Sequence, residues 1–246
     1  MKFTGNHLFH YTKLESALKI IATQSLKFGD FENMNDIAEV KRDVYGGISI
    51  ETILKELEKY KSISLTLDNP SKRGFAIDPL WGHYAQNGNG VCLVFAKDKL
   101  ISNLKEQFGE GAEVAHIEYI SDFSNAIFTE GNSLEKIRHY IKHKIKDIFF
   151  TKSIDWEYEH ELRILIQGNG AEKYLYYGKD TLIATILCLP KVEYYKQSLE
   201  FKLLKALLPN TPILNYKTSL GNKELRNEDG EKMCGVIGYD LQLDLS

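Results

Sequence analysis

Between Lys152 and Arg163 the chain reads KSIDWEYEHELR, and the apolar run Leu162-Ile164-Leu165-Ile166 starts within it. A buried run holds the residues at its mouth on a rigid element. Three carboxylates, Glu157, Glu159 and Glu161, stand there with the guanidinium of Arg163. That crowding is costly in a core and useful in a cleft. If Glu157–Gln167 is a strand, Glu157, Glu159, Glu161 and Arg163 share one face, and Tyr158, His160 and Leu162 share the other. Carboxylates at alternate strand positions suit a site that stabilises positive charge. Crowding would raise the pKa of one of them, and Arg163 would hold another ionised. The same spacing also fits a solvent-facing strand whose charge pairs contribute little.

Two further groups could bind a ligand. His10-Tyr11-Thr12 ends an aromatic strand and leads into a helix, a place where backbone N–H groups can meet an anion or a ribose. Thr12 and Glu15 have capping-box spacing, so the alternative is that Thr12 serves only the helix start. Trp81-Gly82-His83-Tyr84 offers two aromatic rings and an imidazole around a glycine, suited to stacking on a ring, or to an aromatic core corner built on Trp81. Asn33, Asn35, Asp36 and Glu39 read as an Asx-type turn before they read as metal ligands, since no EF-hand spacing is present. A basic helix carries Arg138, Lys142 and Lys146, with Lys136, Lys144, His139 and His143. A solvated face is its default and a phosphate-contacting face its alternative.

Stepping outward, hydrophobic periodicity supplies the elements that would position these groups. Helices are expected from Thr12 to about Ser25, Ser49 to Tyr60, Asp98 to Phe108, along Ile137–Phe149, and over Leu199–Leu208. A short helical turn after Asp78-Pro79 carries Trp81 and His83. Strands are expected at Leu26–Phe31, Ile63–Leu67, Val91–Phe95, Val114–Ile120, Glu157–Gln167, Leu182–Leu189, Ile213–Lys217 and Val236–Leu245. Gly168-Asn169-Gly170 would turn a hairpin onto Tyr174–Tyr177, and Asn222–Lys232 would be a loop. The pattern implies a single α+β domain over 1–246, with a mostly antiparallel sheet, continuous or split, and about five flanking helices.

The totals narrow the chemistry. With 246 residues, 43% hydrophobic and a net charge of −3, the chain can build a sizeable core and is not a wholesale polyanion binder. Cys92, Cys188 and Cys234 are far apart, and no CxxC pair, phosphate-binding glycine loop or GxSxG elbow occurs. No signal peptide or membrane-length apolar run is read, so a cytoplasmic location without membrane contact is expected.

The blocks Phe9-His10-Tyr11-Thr12, Asn35-Asp36 with Glu39, Trp81-x-His83-Tyr84-Ala85 with Gly90 and Phe95, and Lys152-x3-Trp156-x-Tyr158-Glu159-x-Glu161-x-Arg163 together resemble a widespread bacterial family of unknown function. They cover roughly residues 7–166. That family in turn resembles the ADP-ribosyltransferases, the NAD-consuming fold of diphtheria-type and cholera-type toxins. The resemblance implies that His10 holds the NAD ribose, that Tyr84 or Tyr11 stacks on nicotinamide, and that Glu161 is the catalytic glutamate. Glu159-x-Glu161 resembles the paired glutamates of arginine-specific transferases. The chain departs from the pattern in having W-x-H-Y in place of two tyrosines and no Ser-Thr-Ser block before it.

By that resemblance Glu161 would stabilise the oxocarbenium-like ribose as the nicotinamide bond breaks, with Glu159 orienting the acceptor and Arg163 ordering both. Trp81, His83, Tyr84, Tyr11 and Thr12 would join His10 around NAD, the substrate. The acceptor is open between protein, nucleic acid and water, and a toxin or antiviral role is implied. Two rivals stand beside this expectation: a non-catalytic nucleotide or nucleic-acid binding module, and a metal-dependent nuclease using Glu157, Glu159 and Asp36.

Overall fold

The computed structural model describes residues 6–31, 44–45, 50–70, 72–121, 127–128, 133–168, 173–188, 196–219 and 222–235. It is α+β, with mostly antiparallel strand pairing, as the periodicity implied. In chain order the elements begin β1 (His7–Thr12), α1 (Leu14–Thr23), β2 (Ser25–Lys27), β3 (Gly29–Asp30), β4 (Val44–Tyr45), α2 (Ile50–Leu57), β5 (Tyr60–Leu67) and α3 (Asp78–His83). Then come β6 (Val91–Ala96), α4 (Lys97–Phe108), β7 (Ala112–His116), β8 (Glu118–Ile120), β9 (Ile127–Phe128), α5 (Leu134–His143) and α6 (Ile145–Phe149). They end with β10 (Thr151–Ser153), β11 (Glu161–Gln167), β12 (Tyr174–Tyr176), β13 (Leu182–Leu187), α7 (Leu199–Leu207), β14 (Ile213–Ser219), β15 (Asn222–Arg226) and β16 (Lys232–Gly235).

The chain divides into two compact units, Met1–Leu26 with Leu65–Gln107 and Tyr176–Ser246, and Lys27–Ser64 with Phe108–Leu175. In the first unit β1 pairs antiparallel with β6 along its whole length, from His7 opposite Ala96 to Thr12 opposite Val91. β6 pairs antiparallel with β13, and β13 runs parallel to β14. β6 thus has strands on both sides, and Val91–Phe95 is buried throughout, which explains its unbroken apolar run. Helix α7 packs against α1 and buries Phe201 and Leu204. Gly90, just before β6, has no room for a side chain: a Cβ there would lie 2.4 Å from the Thr12 carbonyl oxygen and 2.8 Å from Ala85 Cα.

Two expectations in this unit are corrected. Thr12 stays in β1, and the N-cap is Lys13, which makes no side-chain cap. Glu15 instead pairs with Lys19 one turn on, at 2.6 Å. Asn222–Lys232 is not a loop. β15 pairs antiparallel with both β14 and β16, because Lys223, Leu225 and their neighbours complete the backbone hydrogen bonds of Asn215–Ser219. Val236–Leu245 lies outside the described residues.

In the second unit β3 pairs with the Lys61–Ser62 stretch of β5, β5 neighbours β11, and β11 pairs antiparallel with β7. β10 runs parallel to β8, with Lys152 opposite Tyr119. Ile53 and Leu57 of α2, Ile137 and Ile141 of α5, Ile148 and Phe149 of α6, and Leu165 of β11 form one apolar core. The long helix expected over Ile137–Phe149 breaks at Lys144, whose φ of −104° and ψ of 19° lie off the helical values. The break leaves α5 and α6 as separate pieces that both bury apolar residues in that core. The hairpin expected after Gly168 is also replaced: the backbone flanking β12 bonds elsewhere, Tyr177 N to Gln24 O and Phe28 N to Lys173 O, both at 2.9 Å.

Candidate functional site

In the second unit Glu159, Glu161 and Arg163 do come together, but not by strand alternation. Ser153 accepts a hydrogen bond from Asp155 N and opens a 3-10 turn over Ile154–Glu159. His160, at φ 46°, ends it in the left-handed region, and β11 starts only at Glu161. A β-strand cannot run through a left-handed residue. Glu157 is therefore exposed on the turn and apart from the others, which corrects the four-residue strand face.

The member that sequence reasoning left without a role is Lys152. Its ammonium, on β10, lies 2.7 Å from Glu159 Oε2 and 3.1 Å from Glu161 Oε2. Arg163 Nε donates to Glu161 Oε1 at 2.7 Å and Arg163 Nη2 to Oε2 at 3.1 Å. Ser64 Oγ, from β5, donates to Glu161 Oε1 at 2.6 Å. Arg163 Nη1 donates to Phe149 O at 2.5 Å, and Glu161 N donates to Tyr119 OH at 2.9 Å. Lys152, Glu159 and Glu161 are at most 4% exposed and Arg163 is fully buried, so two carboxylates and two cations cancel inside the core. A buried charge must be paired to persist, and each of these is.

Burial pushes the Glu161 carboxyl up, but the Arg163 and Lys152 charges and the Arg163 and Ser64 hydrogen bonds outweigh it and hold it at about 2. Crowding was expected to raise one carboxylate; for Glu161 the cations win instead. Aromatic rings flank both cations, with Trp156 5.3 Å from Lys152 Nζ and Phe31 5.5 Å from Arg163 Cζ. Lys152 was legible as part of its motif block. Ser64 and Tyr119 carried no local signal, since only the fold brings them to Glu161.

The first unit holds the other named residues. Tyr11 is buried; its OH donates to Gly74 O at 2.6 Å and its ring meets Trp81 edge-on at 5.1 Å. Trp81 Nε1 donates to Phe75 O at 2.8 Å, and its ring stacks on Tyr216 at 5.7 Å. Tyr216 OH donates to Asp78 Oδ1 at 2.9 Å, and Lys223 Nζ donates to Asp78 Oδ2 at 2.6 Å. Trp81 is thus the core corner that its block also allowed. His10 and Thr12 are half-buried on β1, His83 is exposed, and Tyr84 is half-buried with its ring edge-on to His83 at 6.4 Å. Burial raises the Cys92 thiol well above its ordinary value and lifts Cys188 to about 11, which leaves both poor nucleophiles.

On α5, Arg138 is tied to the buried Glu56 of α2, Nε to Oε2 at 3.0 Å, while Lys142, and Lys146 on α6, are exposed. Asn33, Asn35, Asp36 and Glu39 lie outside the described residues. Among the described residues no three His, Cys, Asp or Glu side chains are grouped to hold a metal ion, and Glu159 and Glu161 are already neutralised by Lys152 and Arg163. No helix among them is long and apolar enough to cross a membrane.

Residues 80–164 match a family described as "Protein of unknown function (DUF2971)". That span carries Trp81, His83, Tyr84, Gly90, Lys152, Glu159, Glu161 and Arg163, the second half of the blocks read from the sequence. A solved structure, Thermus sp. 2.9 DarT in complex with ADP-ribosylated ssDNA, is similar over 86% of this chain and 94% of DarT, with 13% sequence identity and a TM-score of 0.36. No curated protein matches the sequence.

Proposed function

We propose that this chain is an NAD-consuming, ADP-ribosyltransferase-like enzyme in which Glu161 stabilises the positive charge that develops on ribose as nicotinamide departs. The observation that carries this reading is a buried carboxylate held ionised by the bidentate Arg163 and by Lys152, with a second carboxylate two residues away on the same lysine. A fixed anion in a dry site is what an oxocarbenium-like state needs. Of the donors on Glu161, Ser64 is the neutral one and sits on an exposed residue. A ribose hydroxyl would replace it, hydroxyl for hydroxyl, without disturbing the two cations. Glu159 would orient the acceptor, protein, nucleic acid or water, and Arg163 and Lys152 would hold the pair in place. In the first unit Tyr11 and Trp81 are committed to their own core. Exposed Lys142 and Lys146 are the residues a nucleic-acid acceptor would meet. A role as a toxin or defence effector follows only if an acceptor is found.

The test is nicotinamide release from NAD by the purified chain, with RNA, DNA and cell lysate as acceptors. Wild type is set beside Glu161→Gln and Glu159→Gln, with circular dichroism confirming that each variant folds. Release that vanishes in folded Glu161→Gln supports the reading. Release that is unchanged there, or absent from wild type under every condition, overturns it.

A second reading has its own observation. Two donors already reach each oxygen of Glu161, filling its lone pairs. A closed network of this kind suits a non-catalytic binding module. It predicts thermal stabilisation by a nucleotide or nucleic acid with no turnover.

A further inference from the structure

The first unit carries an open, shallow pocket of about 670 Å³ that the proposed chemistry leaves unused. It lies between the end of α1, the last turns of α4, and Tyr176–Gly178. Its walls are fixed. Gln107 Nε2 donates to Asn103 O at 3.0 Å and to Tyr176 O at 2.5 Å, while Oε1 accepts from Tyr176 N at 2.9 Å. Asn103 Nδ2 donates to Thr181 Oγ1 at 3.3 Å, and Tyr177 OH donates to Ile20 O at 3.0 Å. Gln24 caps α1 in the left-handed region, at φ 49°, and its carbonyl accepts from Tyr177 N. There its backbone N–H bonds Ile20 O and Ile21 O, the ordinary left-handed close of a helix, which fixes this wall locally. A ligand entering would find little left to order.

The chemistry of the lining is selective. Gln24, Asn103, the exposed Glu106 and Tyr176, 58% exposed, line it, and among the described residues no lysine or arginine does. Without a cation and with Glu106 present, a phosphate is repelled, so the cavity suits neither NAD nor a nucleotide. Amides and a carboxylate instead pair with adjacent hydroxyls, and a phenol ring offers a flat apolar face to a C–H surface. The volume falls within the roughly 300–1,000 Å³ of small-molecule sites. We propose that this cavity binds a neutral, hydroxyl-rich small molecule, a saccharide of one or two rings.

Gly178 supplies a control that leaves the walls in place. A Cβ there meets only the Asn103 amide, at 3.9 Å, an ordinary contact. Gly178→Leu should therefore grow into the cavity, and Tyr176→Ala should remove the ring. The experiment is saturation-transfer NMR on the full chain with maltose and with N-acetylglucosamine, using inorganic phosphate and NAD as competitors and thermal melts as the check on folding. The expected result is transfer to at least one sugar, weakened roughly tenfold in both variants, and unchanged by phosphate or NAD. No transfer to either sugar, equal transfer in folded variants, or displacement by phosphate or NAD each overturns the proposal. None of these outcomes depends on whether the chain releases nicotinamide.

Discussion

The aromatic cluster of the first unit and the ionic cluster of the second draw on different motif blocks and are both buried, yet they meet burial in opposite ways. Around Tyr11 and Trp81 each polar atom finds a neutral backbone partner, Gly74 O and Phe75 O, and ring packing with Tyr216 does the rest. Around Glu161 the polar atoms carry charge, and each depends on the presence of all the others. Area burial is forgiving, because contacts are many and individually small. Charge compensation is not, because removing one partner strands another in a medium that cannot solvate it. The ionic cluster should therefore be the more brittle of the two.

The sharpest break is Arg163→Met. It keeps the volume but takes from Glu161 its bidentate partner and from Phe149 O the Arg163 Nη1 donor. Losing one member of a buried pair costs about 3–5 kcal/mol. Urea unfolding should show the midpoint fall sharply with little change in slope. A loss within the range of an ordinary surface substitution would mean that water reaches Glu161.

Acid should separate the clusters next. Glu161 sits at about 2 in the folded chain against an ordinary 4.5, so the native state binds its proton less readily than the unfolded one. That contribution is complete above pH 4.5 and is lost as pH falls toward 2. Stability followed by urea titration should drop across that window in wild type, and the drop should be shallower in Glu161→Gln. Tyr11 is shifted the other way, upward by burial, and gives the aromatic cluster no acid limb. Matching acid limbs in wild type and Glu161→Gln would remove Glu161 as the source.

Gly90→Ala probes the close approach of the chain before β6 to the end of β1, the strand that carries Tyr11. The added Cβ would fall 2.4 Å from Thr12 O, a backbone atom that cannot swing aside. Overpacking of this kind costs about 1–3 kcal/mol. A thermal melt should show a clear loss, while Gly178→Ala, with only the Asn103 amide 3.9 Å away, should melt as wild type does.

These effects also mark where the sequence was legible. The unbroken apolar run Val91–Phe95 announced a central strand, and the spacing of Ala17 and Ile21 announced α1. Both signals depend only on neighbours along the chain. Glu159, Glu161 and Arg163 were legible as a group, because a dense charge run before an apolar strand is rare. Their geometry was not. Period-two alternation through EYEHELR matched a strand, while Ser153 and a left-handed His160 had already bent the chain into a 3-10 turn. Lys152, Ser64 and Tyr119 reach Glu161 from three other strands, and no local pattern encodes such a meeting. For the aromatic block only the fold supplies the neighbours: Trp81 stacks on Tyr216, 135 positions further along the chain, and Tyr11 meets Trp81 edge-on.

The smallest expected effect falls on that last cluster. Tyr11→Phe removes one phenol oxygen and keeps the ring against Trp81, so it tests the neutral hydrogen bond alone. A neutral hydrogen bond contributes about 1 kcal/mol net, and the Gly74 carbonyl it leaves behind carries no formal charge. Urea unfolding should show a modest loss, the same at pH 5 and pH 8, because burial keeps the Tyr11 phenol protonated throughout. A loss as large as that of Arg163→Met would place the two clusters on equal footing. The brittleness assigned to charge would then belong to burial itself.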